Sequence, residues 1–523
     1  MADDPGNSYR GALVMQEIAW SQSIKFPVLT VLQLLPVLGL VLLSFIRTRR
    51  LAMPVAILFA VAELVVAVYA YHYFDAGSAA FQFAETTRLL GVVSYHAAID
   101  GIGMLFILLT GALSLLVIIY GPVRGLQPAG SLAMITFAIE SSLMSMFSSL
   151  NLLWFACVSM VNMVLVGHMI WRWSTSPEKE STLWRYYQFT GSGLVLLFAG
   201  TLLLGHQQHG ATAADTYDLF RLVANPLTGD TGTWVFFLLF YGLAIRIPLF
   251  PFHGWLPLAA EHGSVAVAPV FLVGIKVGIY GLLRFVFPVV PEAITYWQKY
   301  IVAFAFVGIF YAALLAMLQI NIRRLLAYAV VSHTSILVIG MFSLSALSFQ
   351  GSILLSANFG LAISALFLMT GLVYRRTRTA LMSQMGSLFD RIPLIGVTFF
   401  IAGLAIIGMP GTPGFDSVHL VLEASIRQFG ALVTIAAAAG NVLAAGFLLR
   451  AFQKAFLSPA SGKIINTVEA EHTTPVEALI AGILIIIIVA TGFIDEPWFE
   501  LLDSPAKALG SLYKHAAVLQ EMP

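Results

Sequence analysis

Apolar runs of about 20 residues, separated by short polar segments, recur along the whole chain. A membrane-spanning helix needs about 20 apolar residues to cross the hydrocarbon core. The pattern predicts fourteen such helices, numbered here as spans 1 to 14, at residues 27–46, 51–73, 101–121, 129–148, 151–172, 187–205, 232–251, 264–287, 297–319, 325–344, 350–374, 393–413, 428–452 and 474–494. The chain is therefore predicted to be an all-α polytopic membrane protein.

Basic residues are concentrated in alternate loops between the predicted spans. The loop after span 1 has three arginines, and the loops after spans 3, 5, 9, 11 and 13 are also basic. The opposite loops carry few basic residues, namely Arg88, Arg221, Lys299 and Arg427. Because cytoplasmic loops retain an excess of Lys and Arg, both termini are expected to face away from the cytoplasm, with the protein in a bacterial inner membrane.

The composition agrees with a membrane protein, since 59% of the residues are hydrophobic, only 10% are charged and the mean hydropathy is +0.90. Soluble domains carry about 25% charged residues. The net charge of +1 argues against a nucleic-acid partner. The single cysteine, Cys157, excludes an internal disulfide, a cysteine-ligated iron–sulfur cluster and a CxxCH haem site. No cofactor is expected in this chain.

Four segments outside the spans have a pattern of their own. Gly11 to Ile24 is predicted to be a short helix on the membrane surface, Phe81 to Tyr95 a small hairpin, and Tyr217 to Ala224 a surface helix. The tail from Asp495 to Pro523 alternates charged and apolar residues, which indicates an amphipathic helix at the edge of the membrane or of a complex. No loop is long enough for a soluble catalytic domain.

Two cations lie in the stretch from Ala244 to Phe287, where lipid does not tolerate charge: Arg246 in span 7 and Lys276 in span 8. Prolines between them break the helix, and the freed carbonyls must line a cavity or pack in protein. Ionisable groups at membrane depth mark ion paths by default. Lys276 is the better proton carrier, because arginine stays protonated and only sets a field or forms a structural ion pair.

Two more ionisable residues are predicted in the interior of the membrane. Glu140 lies in the middle of span 4 and is either a proton carrier or a carboxylate hydrogen-bonded to neighbouring serines. His333 in span 10 is either a proton relay or a hydrogen-bonded core histidine. Both alternatives remain open from the sequence.

A second predicted helix break lies at the end of span 12, in GMPGTPGFDSVHLVLEAS. Asp416, His419 and Glu423 follow it at helical spacing and share one face. Two broken helices with ionisable groups are typical of transporters built from repeats.

Three other groups of polar residues have weaker signals. His253, Glu261 and His262 flank the break between spans 7 and 8 and are candidates for either a relay or a loop contact. A metal site is not predicted at His206, His209, Asp215 and Asp218, because their spacing is loose and they lie in a loop. His168 is interpreted as an interfacial residue.

Several linked motifs closely resemble the proton-pumping antiporter-like subunits of complex I, subunit M above all, and the related multisubunit cation/proton antiporters. The motifs are SYHAAIDGIGMLFILLTG, RIPLFPFHGWLP followed by GIKVGIYGLLRF, NIRRLLAYAVVSH, ALFLMTGLVYRRTRT and IIGMPGTPGF, within Tyr95 to Pro459. The resemblance implies a hydrated axis of protonatable groups and two inverted five-helix repeats. The implied divisions are a surface segment 1–26, peripheral helices 27–121, a first repeat 122–287, a second repeat 288–456, and helix 14 with its tail 457–523.

The resemblance also assigns residues. Lys276 matches the central lysine of span 8 and His333 the histidine of span 10, while Arg246 stands at the span 7 lysine. Ser159 stands where the family has the span 5 glutamate, so that Glu140 is the candidate substitute. The span 11 histidine falls at Asn358 or Phe359, and the acidic residue of span 12 is displaced to Asp416 or His419.

The changed pair in spans 5 and 7 makes redox-coupled pumping doubtful, so several functions are expected as alternatives. The first is a subunit that conducts protons, or sodium ions, to energise a soluble partner. The membrane subunit of DAB-type inorganic-carbon uptake complexes is such a branch, and its zinc partner resembles carbonic anhydrase and converts CO₂ to bicarbonate. The others are subunit M of an NADH–quinone oxidoreductase or hydrogenase complex, a cation/proton antiporter subunit, and a scaffold that has lost conduction.

Overall fold

The computed structural model describes residues 16–520, apart from residues 47, 90–92, 175, 209–214, 264–267 and 460–471. Long helices dominate the described part. The first group comprises α1 (Trp20–Ser23), α2 (Val28–Phe45), α3 (Arg49–His72), α4 (Gly101–Arg124), α5 (Ala129–Ser148), α6 (Leu152–Trp173), α7 (Lys179–Gln207) and α8 (Leu219–Ala224). The predicted spans 1 to 6 correspond to α2–α7.

Span 7 is broken where its prolines predict a break. Helix α9 (Gly229–Arg246) ends just before Pro248, which has no backbone N–H to donate and has a φ of 26°. A short helix, α10 (Trp255–His262), follows the Pro-rich turn. Span 8 then consists of α11 (Ala268–Gly281) and a π-helical turn, Leu282–Val286.

The second half of the bundle repeats this arrangement of long helices and one break. It comprises α12 (Pro291–Leu318), α13 (Ile322–Met341), α14 (Ala346–Thr377), α15 (Pro393–Ile407), α16 (Gly414–Phe429), α17 (Ala431–Phe452), α18 (Pro475–Phe493) and α19 (Glu496–Gln520). The break in span 12 separates α15 from α16. Gly408 and Gly411 have φ values of 76° and 80° there, a region that glycine adopts without the steric cost of a Cβ.

Eleven helices in the described residues are long and apolar enough to cross a membrane. Three predicted spans, 7, 8 and 12, do not contain a helix that meets this requirement of length and hydropathy. In these spans the helices are shorter or the predicted span is interrupted. The protein is thus an α-helical integral membrane protein. The count of fourteen and the two inverted repeats stay predictions.

A small sheet, which the all-α prediction did not include beyond the hairpin, covers one end of the bundle. Strands β2 (Phe81–Leu89) and β3 (Val93–Ile99) are antiparallel, and β1 (Glu17–Ala19) pairs in parallel with β2. The predicted surface helix over residues 11–24 is therefore wrong for Glu17–Ala19, and only α1 is helical. The open edge of β2 explains the difference, because it satisfies the backbone of this segment. Residues 11–15 lie outside the described part.

The C-terminal tail forms the helix α19, as its charge pattern predicts. Its apolar face is covered by the chain's own helices α4, α12 and α14, with Leu501 and Leu502 fully buried. The Tyr513 hydroxyl donates a hydrogen bond to the Phe287 carbonyl over 2.6 Å. The predicted surface helix near residue 219 is also present, as α8.

His96 links the sheet to α8 outside the spans. Its Nδ1 contacts the Asp218 carboxylate, and its Nε2 lies 2.9 Å from Glu17 Oε2. Burial lowers the pKa of His96, but the two carboxylates outweigh burial and raise this pKa above its ordinary value of 6.5.

The substitution His96→Gln is expected to lower the unfolding temperature in detergent most at mildly acidic pH. The folded-state pKa is raised, so the stabilisation is fully present below the unfolded-state value of 6.5 and is lost as the pH rises through the folded-state value. Thermal unfolding across this pH range measures the effect, with the exposed His168→Gln on α6 as control. A difference from wild type that grows with pH contradicts the assignment.

Candidate functional site

Lys276 lies inside the bundle on α11 and is 2% exposed. Its Nζ is 5.1 Å from the centre of the Phe359 ring on α14, a cation–π contact. The next residue, Gly360, leaves room for the lysine, since a Cβ there would lie 3.2 Å from Lys276 Cε. The one lysine predicted to carry protons is therefore held against an aromatic face.

His333 on α13 stacks on the same ring, with the two ring centroids 4.9 Å apart. Its Nδ1 lies 3.1 Å from the Ala329 carbonyl oxygen and its Nε2 lies 3.1 Å from the Ile406 carbonyl oxygen. Both contacts are acceptors, and an imidazole donates at both nitrogens only when it carries the extra proton. The site thus offers hydrogen-bond acceptors to the protonated form of His333.

The Ile406 carbonyl is available because of the break in span 12. It belongs to the last turn of α15, where helical carbonyls have no partner within the helix. On the other side of the break, Asn358 Nδ2 donates to the Pro413 carbonyl at 2.5 Å and to Ser417 Oγ at 2.8 Å. The span 11 candidates therefore divide: Phe359 contacts Lys276 and His333, and Asn358 binds the break.

Arg246 is at the end of α9, beside the other break. Its Nη2 donates to Asn162 Oδ1 on α6 at 2.7 Å, and its Nε donates to the Gly274 carbonyl on α11 at 3.1 Å. Asn162 Nδ2 in turn donates to Ser142 Oγ at 2.8 Å. The guanidinium is held by neutral acceptors, and these hydrogen bonds join α5, α6, α9 and α11.

A small cavity adjoins Arg246. Its volume is about 40 Å³ and its lining includes Ser159, Asn162, Tyr186 and Thr190. One water needs about 10–15 Å³ of such cavity volume, so the cavity has room for about three waters. Ser159 lines this cavity and donates to Met146 Sδ over 3.2 Å.

Glu140 on α5 has no exposed surface, and neither carboxylate oxygen has a hydrogen-bond partner among the described residues. The neighbouring serines are used elsewhere. Ser141 donates to the Gln33 carbonyl, Ser142 donates to the Ile139 carbonyl, and Ser145 accepts from Trp154 Nε1. The polar side chain that faces Glu140 is Ser114 on α4.

The three candidates on α16 are not brought to the interior. They share a face, as their spacing predicts, but the buried face of this helix carries Ser417, Val418, Val421 and Ala424 instead. His419 is exposed, and Glu423 Oε1 accepts from Arg427 Nη2 at 2.5 Å. Asp416, His419 and Glu423 therefore lie on the outward side of the bundle.

The secondary candidates near the first break have structural contacts. His253 is 6% exposed and packs against the rings of Phe250, Tyr311 and Tyr328. Glu261 accepts from Asn321 and Arg324, and His262 Nε2 lies 3.2 Å from Glu178.

Of the weaker candidates, Asp218 pairs with His96 and caps α8, whereas His209 lies outside the described residues. His168 is exposed beside Trp171 and Trp173.

Sequence reasoning missed four buried acidic residues, Glu63, Glu85, Asp100 and Glu477. Glu85 accepts from backbone amides of α2, and Glu477 forms an ion pair with Arg376. Asp100 caps α4 and forms an ion pair with Arg284. Glu63 on α3 has no exposed surface. Asp100 and Glu63 both lie in or beside apolar runs, and the same rule that selected Glu140 selects a charge within such a run.

A helical membrane bundle with two broken helices, and with buried ionisable side chains bound to carbonyls near the breaks, has the architecture of an ion-translocating membrane protein. The family described as NADH:quinone oxidoreductase/Mrp antiporter, TM, matches residues 141–444, more than half of the chain. The chain belongs to this family. It is an antiporter-like, proton-translocating membrane subunit of the complex I type.

Two relatives and one solved structure illustrate the similarity. NADH-ubiquinone oxidoreductase chain 4 of Arabidopsis thaliana is 31% identical over 426 residues, which cover 80% of this chain and 84% of that protein. NADH-quinone oxidoreductase subunit M of Rickettsia prowazekii (strain Madrid E) is 29% identical, covering 86% and 91%. A chain of respiratory complex I from Thermus thermophilus with bound NADH matches with a TM-score of 0.81 and 25% identity, covering 92% of this chain and 99% of that one.

The substitution Asn162→Ala is expected to destabilise the protein by about 1–3 kcal/mol, because it removes an acceptor from the Arg246 guanidinium. The unfolding temperature in detergent measures this. Ser192→Ala is the control, since this exposed hydroxyl donates only to the Phe189 carbonyl of its own helix. Equal unfolding temperatures for the two variants contradict a structural role for the Arg246–Asn162 contact.

Proposed function

We propose that this chain conducts protons along a buried route that uses Lys276, His333 and Glu140. The observation that carries the proposal is that Lys276 and His333 both contact the ring of Phe359. Lysine and histidine side chains can both gain and lose protons. Arg246 contributes a fixed positive charge, because a guanidinium stays protonated.

The outward residues Asp416, His419 and Glu423 are proposed to lie where protons leave or enter the second break. Asn358 holds that break, and Phe415 stacks near His419, with ring centroids 6.4 Å apart. His253, Glu261 and His262 are proposed to shape the first break rather than to carry protons, since their contacts are ring packing and ion pairs.

The end of the bundle that is proposed to face the cytoplasm carries a large basic cavity. Its volume is about 790 Å³, and its lining includes Arg124, Arg323, Arg375 and Arg378. These residues come from the loops or helix ends after spans 3, 9 and 11, so three of the basic loops meet at one end. The positive-inside rule then supports both termini on the opposite side and a bacterial inner membrane as the location.

We propose further that the chain works with other subunits and that proton flow energises a soluble partner in inorganic-carbon uptake, where a zinc protein resembling carbonic anhydrase converts CO₂ to bicarbonate. The supporting observation is the fixed Arg246–Asn162 contact, beside Ser159, at the positions where redox pumps of this family have a lysine and a glutamate. The second candidate is a subunit of an NADH–quinone oxidoreductase, supported by the names of the relatives.

Replacing Lys276 by Ala is expected to reduce proton flux by about tenfold or more, since a relay loses a proton-carrying group. The proton flux of Lys276→Arg is expected to be equally low, because arginine keeps the positive charge but does not release its proton. The measurement is dissipation of an imposed pH gradient in membrane vesicles that contain the complex. Lys299→Ala, at an exposed lysine of α12, is the control. Wild-type flux in Lys276→Ala would favour a scaffold without conduction.

Mass spectrometry of the proteins that co-purify in mild detergent is expected to find one large soluble zinc-containing protein. Flavin and iron–sulfur subunits in its place would reject the carbon-uptake proposal and support the oxidoreductase. Several small membrane subunits would support an antiporter, and sodium dependence of the flux would identify sodium as the transported ion.

A further inference from the structure

The buried face of α3 is a stripe of alanines interrupted by one acid. Ala52, Ala56, Ala60, Ala67 and Ala70 are at most 5% exposed, and Glu63 falls between them with no exposed surface. The small side chains allow α3 to pack closely on α2, α4 and α5. The opposite face, with Leu58, Val61 and Val65, is exposed. Glu63 therefore points into the protein.

A second buried acid, Glu140, lies on a helix that packs against α3. The charges of Glu63 and of Glu140 on α5 are close enough to interact. None of the four carboxylate oxygens has a hydrogen-bond partner among the described residues. Helices α3 and α5 both pack on α4 near Gly111. A Cβ at Gly111 would contact Leu64, which follows Glu63 in α3, and Met144, which lies one helical turn after Glu140 in α5.

Among the described residues, neither acid is hydrogen-bonded to a lysine, arginine or histidine. Helix α2 carries no titratable residue, and α5 carries none except Glu140. Helix α4 supplies the Ser114 hydroxyl, and its Tyr120 and Arg124 come six and ten positions later, towards its C-terminal end. Two neighbouring buried carboxylates repel each other when both are charged, so simultaneous ionisation of both is disfavoured.

We propose that Glu63 and Glu140 form a pair of neighbouring buried acids that binds one proton, and that this pair exchanges protons with the route through Lys276. The exchange rests on the proposed function. Within the pair, the proton moves from the carboxyl of one glutamate to the carboxylate of the other, with no change in total charge. Helix α5 connects the pair to the lysine, because it packs on α3 at one side and on α11 at the other.

Both acids lie outside the segment, residues 141–444, that matches the family. Glu63 is 14 residues from the start of α3, which at 1.5 Å per residue is about 21 Å along a helix of 24 residues. The pair is thus well inside the membrane and at the side of the peripheral helices.

The first test is proton flux in vesicles that contain the whole complex. Glu63→Gln, a neutral substitute of the same shape, is expected to reduce flux by about tenfold, and Glu63→Asp to restore part of it. Glu180→Gln, at an exposed glutamate of α7, is the control. The yield of intact complex shows whether each variant folds, and the aspartate variant serves if the glutamine variant does not. Flux in Glu63→Gln equal to that of the control rejects the proposal.

The second test is labelling with dicyclohexylcarbodiimide, which reacts with protonated carboxyl groups in apolar surroundings. At pH 8, an adduct is expected on Glu63 or on Glu140 but not on both in one chain, and Glu180 should remain unlabelled. No adduct at either acid contradicts a bound proton. Suppression of the adduct by sodium chloride, but not by choline chloride at the same pH, indicates a metal cation and also overturns the proposal.

The two proposals fail in different ways. If Lys276→Ala conducts like wild type, the proposed function itself fails. If Lys276→Ala loses flux while Glu63→Gln keeps it, only the role of the pair fails.

Discussion

A polar group without a hydrogen-bond partner is costly in the hydrocarbon part of a membrane, and this constraint decides where the helices of this protein can break. Each break frees carbonyls, and side chains of neighbouring helices bind them. Ile406 accepts from His333, and Pro413 accepts from Asn358. A break therefore does more than bend a helix, because it supplies acceptors for a protonated side chain inside the bundle.

The two cations of the central region differ in what they can do. Arg246 is held between Asn162 and the Gly274 carbonyl, and its charge does not change with pH. Lys276 has the Phe359 ring beside it, and its ammonium can lose a proton. A fixed charge next to a titratable one sets the electrostatic potential along a route without taking part in the transfer. An arginine in place of a lysine in span 7 therefore keeps the positive charge at that position but does not transfer a proton.

Much of this arrangement follows from the sequence, because hydrophobic length, proline position and charge at membrane depth are local properties. They predict the spans, both breaks, and the burial of Lys276, Glu140 and His333. The helical spacing of Asp416, His419 and Glu423 predicts their common face, but which side that face takes depends on how α16 packs. The parallel pairing of Glu17–Ala19 with β2, and the packing of α3 against α5 that brings Glu63 near Glu140, join segments that are far apart in the chain, so periodicity alone does not reveal them.

The burial of Glu140 without a partner is more informative than its burial alone. Had its carboxylate bound the adjacent serines, a structural role would account for it, but those hydroxyls bind Gln33, Ile139 and Trp154. An ionised carboxylate without a partner costs several kcal/mol at membrane depth, so burial of this kind is unusual for a purely structural residue. Glu140 also lies on a helix that packs against the helix of Lys276, and this position is the basis of the proposed role in proton transfer.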